Sequence, residues 1–129
     1  MLTLKIQGWP PSVHKAWGSK KFGRGRYKTA EYLKFDAYVR FCEREGELDL
    51  SHECLSVEVD LIGNWKTLKG TLRVQDCENN LKCCLDSVCT KLGFDDSRFV
   101  SVNARKIQSS KVRMTIVRIK HAALHEWAG

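Results

Sequence analysis

The sequence has no acidic residue before Glu31, although its 129 residues include 15 aspartates and glutamates. Residues 1–28 carry seven positive charges: Lys5, Lys15, Lys20, Lys21, Arg24, Arg26 and Lys28. The remaining residues balance at fifteen charges of each sign, so the whole net charge of +7 lies in this segment. Lys and Arg bind polyanions because they neutralise phosphates and release counterions. We therefore predict that residues 12–28 form a basic loop that contacts a polyanion such as nucleic acid, with a solvated surface loop as the alternative.

The sequence also has no long apolar run and no C-x-x-C pair. A transmembrane helix needs about 18 consecutive apolar residues and a signal peptide needs an apolar N-terminal stretch. Since neither pattern occurs, we expect a soluble cytoplasmic protein of cellular or viral origin. The six cysteines are Cys42, Cys54, Cys77, Cys83, Cys84 and Cys89. Without a C-x-x-C pair a structural zinc site has little support, and reduced thiols in the core are the favoured interpretation.

Hydrophobic periodicity predicts a few regular elements in a single domain spanning residues 1–129. The hydrophobic content of 43% suffices for one core. Alternating apolar and polar residues predict strands at 2–8 and 55–61. Three- and four-residue apolar spacing predicts a helix at 29–45, capped by Thr29, and a second helix at 78–92.

The C-terminal third of the chain is predicted to be mostly strand. Residues 99–107 and 111–120 alternate in polarity, and we predict that they form a hairpin around residues 108–110. The tail, residues 121–129, has no clearly predicted element. The order strand, helix, strand, helix, strand, strand predicts an α+β domain in which two main helices pack on a mixed β-sheet.

Acidic residues gather around the second predicted helix. The cluster and its polar neighbours are Asp76, Glu78, Asn79, Lys82, Asp86, Asp95 and Asp96. Carboxylates that converge repel one another unless a cation or a proton lies between them, so these acids are candidates for a hard-metal site. The alternative is structural: Asp76 caps the helix, and Glu78, Lys82 and Asp86 form an ordinary ion-pair row. Because the helix is roughly 20 Å long, Asp95 and Asp96 reach its start only if the chain runs back.

The order of these residues resembles the motif of RusA-type Holliday-junction resolvases. That motif reads D-x-D-N, a Lys three residues beyond the Asn, an Asp four residues beyond the Lys, and then Gly with an Asp pair. Its counterparts here begin with Asp76-Cys77-Glu78-Asn79 and end with Gly93 and Asp95-Asp96. A Trp-Pro-Pro-Ser segment after the first strand, residues 9–12, and the order of elements extend the resemblance over nearly the whole chain.

The resemblance implies a homodimeric, structure-selective endonuclease that cuts four-way DNA junctions with Mg²⁺ or Mn²⁺. By position, the metal-binding and catalytic acids would be Asp76, Glu78 and Asp96, with Asp95 beside the last of them. Lys82 matches the essential Lys and would assist at the phosphate, and Asp86 would support the site. Nucleic acid would be contacted by Asn79, by Arg73 and by the basic loop, through Lys15, Lys20, Lys21, Arg24, Arg26 and Lys28.

One position departs from the family pattern. The second acid of the motif is Asp in the family and Glu78 here, which places the carboxylate one methylene further out. Mg²⁺ demands near-ideal octahedral geometry, so this change bears directly on activity. The alternative prediction is therefore a catalytically weakened or inactive domain that binds branched DNA or RNA on the same fold.

Overall fold

In a computed structural model of the chain, five strands form a mixed sheet, and two longer helices pack on one face of it. The structure describes residues 1–19, 25–73 and 77–129, with the Cys77 side chain left out. The strands are β1 (Leu2–Gln7), β2 (Trp17–Ser19), β3 (Arg26–Lys28), β4 (Glu43–Glu45), β5 (Leu55–Gly63), β6 (Phe99–Gln108) and β7 (Met114–His121). The helices are α1 (Val13–Ala16), α2 (Ala30–Arg40) and α3 (Cys77–Leu92), and Asp96–Arg98 form a 3₁₀ turn.

The five-stranded sheet has the order β4-β1-β7-β5-β6. Strands β5 and β6 are parallel, and every other neighbouring pair in this sheet is antiparallel. Parallel neighbours need a crossover, and α3 supplies it between β5 and β6. The predicted α+β class with a mixed sheet is therefore confirmed, and β2 and β3 add a separate two-stranded ribbon.

The predicted C-terminal hairpin is wrong, although both of its strands exist. Strands β6 and β7 lie on opposite sides of β5 rather than beside each other. The connection crosses the end of β5, where Ser109 N donates to Gly63 O at 2.8 Å. Alternating polarity indicates that a segment is a strand, but it does not determine which other strand that segment pairs with. Beyond β7, residues 122–129 form no regular element.

The core lies between the sheet and helices α2 and α3. Its buried side chains come from alternate positions of the strands, from one face of each helix and from Trp65 just after β5: Leu2, Leu4, Ile6, Phe35, Val39, Leu55, Val57, Val59, Leu61, Trp65, Cys84, Val88, Val117 and Ile119. No helix in the described part of the chain is long and apolar enough to cross a membrane. The cysteines whose side chains are described are free thiols, and Cys83, Cys84 and Cys89 are buried.

Helix α2 differs from the prediction in its end and in its buried face. It ends at Arg40 rather than near residue 45, because residues 43–45 pair with β1 as the edge strand β4. Thr29 caps it as predicted, since its side chain accepts a hydrogen bond from Tyr32 N at 3.4 Å. The helix buries Tyr32, Phe35 and Val39, while Phe41 beyond its end is exposed.

Candidate functional site

Helix α3 carries a stripe of alternating charge. Glu78, Lys82 and Asp86 follow one another at four-residue steps, so their side chains lie along one side of the helix. Glu78 is in the first turn, where a carboxylate complements the positive end of the helix dipole. Two turns separate it from Asp86, or about 12 Å along the axis at about 1.5 Å per residue.

The chain turns back along α3 as soon as the helix ends. Gly93 adopts φ +80°, and the amides of Gly93 and Phe94 both donate to Cys89 O, at 2.8 and 3.2 Å. Phe94 then packs edge-on against Phe99, with ring centroids 5.5 Å apart. This reversal brings the Asp pair back to the side of the helix. The result is an open depression of about 570 Å³ lined by Asp86, Cys89, Thr90, Gly93, Phe94, Asp95 and Asp96.

The two members of the Asp pair occupy different environments. Asp95 caps the 3₁₀ turn, since its Oδ1 accepts from Ser97 N at 2.9 Å, and this hydrogen bond lowers the pKa of Asp95. Asp96 is exposed, but slight desolvation raises its pKa, and the hydrogen bond to Asp95 and the charge of Asp86 raise it further. Lys82 acts on the Asp96 pKa in the opposite direction. Asp96 is therefore the member of the pair that shares an electrostatic environment with the α3 stripe.

The same acids affect a thiol at the base of the depression. Burial raises the pKa of Cys89 to about 12, and the negative charges of Asp96, Asp86 and Asp95 contribute to the increase. A thiol in this state stays protonated at neutral pH. Cys89 therefore contributes packing rather than a ligand or a nucleophile to this site.

The structure brings together only part of the predicted acid set. The charges of Lys82 and Asp86 act on Asp96, whereas Asp76, the predicted helix cap and first metal ligand, lies outside the described residues. Within the described ranges, His, Cys, Asp and Glu side chains form no group of three arranged to hold a metal ion. The chemistry of the donors still suits Mg²⁺, because carboxylate oxygens are hard ligands. The raised pKa of Asp96 also marks a place where a cation would relieve repulsion between carboxylates.

The predicted basic loop is a structured element in the part that is described. Residues Val13–Ala16 form α1, and β2 and β3 form a two-stranded ribbon, while residues 20–24 lie outside the described ranges. Ala16 is buried with Tyr32 and Cys83, which attaches this segment to α2 and α3. We call the unit formed by β2, β3 and their connection the basic ribbon.

A partly buried polar network connects the basic ribbon to α3. Lys28 Nζ forms an ion pair with Asp36 Oδ2 at 2.8 Å and lies 4.4 Å from the centroid of the Tyr32 ring. Asp36 Oδ1 also accepts a hydrogen bond from Ser87 Oγ, one residue after Asp86 on α3. The position of the ribbon is therefore fixed relative to the acidic depression. Asp36 and Ser87 were not singled out from the sequence, because they lie 51 residues apart and neither belongs to a motif.

The nucleic-acid contacts predicted in the basic loop fall into three groups. Lys15 and Arg26 are exposed, and Arg26 lies 4.8 Å from the ring centroid of Trp17. Lys28 is engaged by Asp36, as described above. The predicted contacts Lys20, Lys21 and Arg24 lie outside the described residues.

Two predicted contacts lie near the start of α3. Arg73 is exposed, and Asn79 is half-buried in the first turn. The neighbouring Asn80 is buried and donates from Nδ2 to Pro10 O at 2.7 Å. That bond joins the Trp-Pro-Pro-Ser segment to α3, so two separate parts of the sequence motif meet in space.

No protein-family model matches the chain, and a search of curated proteins finds no match either. The resemblance to RusA-type resolvases therefore rests on the motif residues, and the case for function rests on the geometry around α3.

Proposed function

We propose that this protein is a RusA-like, metal-dependent DNA endonuclease that resolves four-way junctions by paired symmetric nicks. The observation that carries the proposal is the reversal after Gly93, which returns Asp96 to the side of α3 that holds Lys82 and Asp86. An ordinary helix-surface ion-pair row needs no such return of distant acids. The resemblance implies that acids from both ends of the motif serve one site, and the reversal brings Asp96 as far as Asp86 and Lys82.

Hydrolysis of a phosphodiester needs an activated water and a positive charge near the phosphate oxygens. Mg²⁺ or Mn²⁺, when bound, supplies both by lowering the pKa of water and neutralising developing charge. Asp76, Glu78 and Asp96 are the residues that would hold the ion. Lys82 would donate to a phosphate oxygen or to the leaving oxygen. Asp86, four residues further along the same side of α3, would help to orient the Lys82 ammonium group.

The basic ribbon would contact the DNA arms close to this site. Lys28 contacts Asp36, which in turn accepts a hydrogen bond from Ser87 of α3, and this link supports a role for Lys15 and Arg26 in DNA contact close to the helix. A four-way junction has approximate two-fold symmetry, and its resolution requires two matched nicks. A homodimer with C2 symmetry would present two copies of the site to the two strands.

One observation favours a second function, a branched-DNA or RNA binding protein with little or no nuclease activity. That observation is Glu78, which stands where the family has Asp. Such a protein would bind nucleic acid with a strong salt dependence and would leave it intact.

Cleavage of an end-labelled synthetic four-way junction separates these two functions. We expect paired symmetric nicks in Mg²⁺ or Mn²⁺, none in EDTA, and none on linear duplex of the same sequence. Tight junction binding without nicks in either metal would overturn the endonuclease proposal and support the binding protein. Light scattering at the assay concentration should give the mass of a dimer, and a monomer that still makes paired nicks would contradict the proposed symmetry.

A further inference from the structure

Two long stretches of the chain contain no acidic residue. They span residues 61–75 and 97–125 and together carry ten cations: Lys66, Lys69, Arg73, Arg98, Arg105, Lys106, Lys111, Arg113, Arg118 and Lys120. Counting net charge over the whole chain hides this pattern, because the acids that balance it lie in other segments. The structure shows which of these cations have an internal partner.

Three of the ten cations are engaged within the fold. Arg105 and Arg118 form ion pairs with Asp60, and Arg98 donates to the backbone oxygens of Leu50 and His52. Lys120 is left out for a different reason. It lies opposite Ser56 of β5, near the other end of the sheet. The remaining six are Lys66, Lys69, Arg73, Lys106, Lys111 and Arg113. Among the ion pairs of the described residues, none involves any of these six.

A four-layer stack holds two of the six cations in place. Trp9 and Trp65 stack with ring centroids 4.3 Å apart and an interplanar angle of 15°. Arg113 lies 4.4 Å from the Trp9 centroid, and Lys106 lies 4.8 Å from the Trp65 centroid. The indole nitrogens donate to the backbone of β5, Trp9 to Ile62 O and Trp65 to Leu61 O. Both cations are therefore fixed to the end of the sheet.

The other four cations surround this stack. Lys106 Nζ approaches the backbone oxygen of Arg73 at 3.5 Å, and Arg73 N donates to Trp65 O at 2.7 Å. Lys66 and Lys69 lie on the exposed turn between Trp65 and Arg73, and Lys111 lies in the connection from β6 to β7. We call the surface formed by the six cations the tryptophan-stack surface.

The tryptophan-stack surface adjoins the start of α3. Arg73 precedes the helix by four residues, and Pro10, next to Trp9, accepts the hydrogen bond from Asn80 in the first turn of α3. The helix that carries the candidate site therefore begins near Arg73 and the Trp9 side of the stack. The basic ribbon is a different segment, attached to the middle of α3 through Ser87.

We propose that the tryptophan-stack surface binds the phosphate backbone of a DNA duplex arm, as a second contact in addition to the basic ribbon. This inference rests on the proposed function, since it assigns a place to one arm of the same DNA. Each indole has one face against the other indole and the opposite face against a cation. Neither ring is therefore available to stack on a base, and base stacking is what a binding platform for single strands requires. The charges of Arg113 and Lys106 lie at most about 14 Å apart, so together they span no more than roughly four base-pair steps of about 3.4 Å each.

The test neutralises three exposed lysines that make no contact in the stack. The variant Lys66→Gln/Lys69→Gln/Lys111→Gln is compared with a matched control, Arg40→Gln/Arg44→Gln/Lys120→Gln, which removes the same charge from exposed positions elsewhere. Binding of the full chain to a four-way junction and to linear duplex is measured over a range of salt concentrations. Circular dichroism and the urea midpoint establish that both variants are folded.

We expect the test variant to lose roughly 2 to 3 units of the slope of log K against log salt, since each phosphate contact contributes about 0.9. At physiological salt its affinity should fall at least about tenfold, while the control changes by less than about threefold. Equal losses in the two variants, or no loss in either, would overturn the inference even if the wild type cleaves junctions. If the wild type binds junctions but never cleaves them, and only the test variant loses affinity, the result would support the tryptophan-stack surface and reject the nuclease. A wild type that binds neither DNA would overturn both proposals.

Discussion

The face of the sheet opposite the helices contains a buried carboxylate whose removal should destabilise the protein. The Asp60 side chain is 3% exposed. Arg105 donates to it from Nε at 2.6 Å and from Nη2 at 3.2 Å, and Arg118 donates from Nη1 at 2.5 Å. Since Arg105 is on β6 and Arg118 on β7, the three residues link β5 to both of its neighbours in the sheet.

The substitution Asp60→Asn keeps the shape but removes the charge. Removing one partner of a fully buried ion pair costs about 3–5 kcal/mol, while an exposed pair contributes about 0–1 kcal/mol. The Arg105 side chain is 67% exposed and that of Arg118 is 27% exposed, so the Arg118 bond should account for most of the effect. We expect a loss of about 2–3 kcal/mol at neutral pH, which lowers the urea midpoint by roughly 1–2 M.

The effect should also depend on pH with a defined sign. Burial alone would raise the pKa of Asp60, but hydrogen bonds and charge from Arg105 and Arg118 outweigh it and hold the pKa below its ordinary value. A lowered pKa stabilises the fold above the unfolded pKa, near 3.9, and this contribution disappears as the pH falls through the folded pKa. The difference between wild type and Asp60→Asn should therefore be constant above about pH 5 and shrink below about pH 4.

Urea unfolding followed by circular dichroism measures this difference directly. The matched control is Glu58→Gln, an exposed acid two residues earlier on the same face of β5, with an expected change below about 0.5 kcal/mol. An Asp60→Asn protein as stable as the Glu58→Gln control at pH 7 would refute the reasoning. A gap that widens in acid would refute it as well.

Three further predictions concern groups that the fold buries or crowds. Ser56 Oγ is buried without a hydrogen-bond partner among the described residues, so Ser56→Ala should raise the free energy of unfolding by up to about 1 kcal/mol, and a loss in urea unfolding would contradict this. Asp86→Asn removes a like charge and should lower the pKa of Asp96 in a carboxyl NMR titration, whereas an unchanged or higher pKa would count against their proximity. Burial raises the pKa of Cys84 and of Cys89 to about 12 each, so at pH 8 both should react with iodoacetamide at least about 100-fold more slowly in the native protein than in urea. Rapid native labelling at either thiol would show that α3 opens locally.

The sequence predicts the local elements well where burial sets a strong period. Alternation identifies β1 and β5, and the apolar spacing with Gly93 defines α3 almost to the residue. The sequence predicts the buried face of α2 less well, since the apolar residues Leu33 and Phe41 are exposed in the fold. Periodicity records which side of an element is apolar, but β4 and the end of α2 depend on pairing with β1, which is a long-range contact.

The candidate site shows the same division between local and long-range information. The motif spacing predicts the residues that line α3 and follow it, with Asp96 as the metal-binding acid and Asp95 beside it. The structure shows how the environments of the pair differ, because Asp95 forms a cap with Ser97 and Asp96 lies near Asp86. Of the six cations of the tryptophan-stack surface, the sequence analysis predicts only Arg73 as a nucleic-acid contact, because these cations come from two segments more than thirty residues apart. The absence of acids from both segments was visible in the sequence and is the signal that could have revealed it.

The adjacent residues Asp95 and Asp96 offer the most direct test of the proposed nuclease. Asn is as good a cap as Asp, so Asp95→Asn should preserve the 3₁₀ turn and retain most of the activity. Asp96→Asn should reduce nicking of an end-labelled four-way junction in Mg²⁺ or Mn²⁺ at least about 100-fold, with junction affinity within about twofold of the wild type. Full cleavage by Asp96→Asn, or equal losses of cleavage in the two variants, would contradict the account of this site.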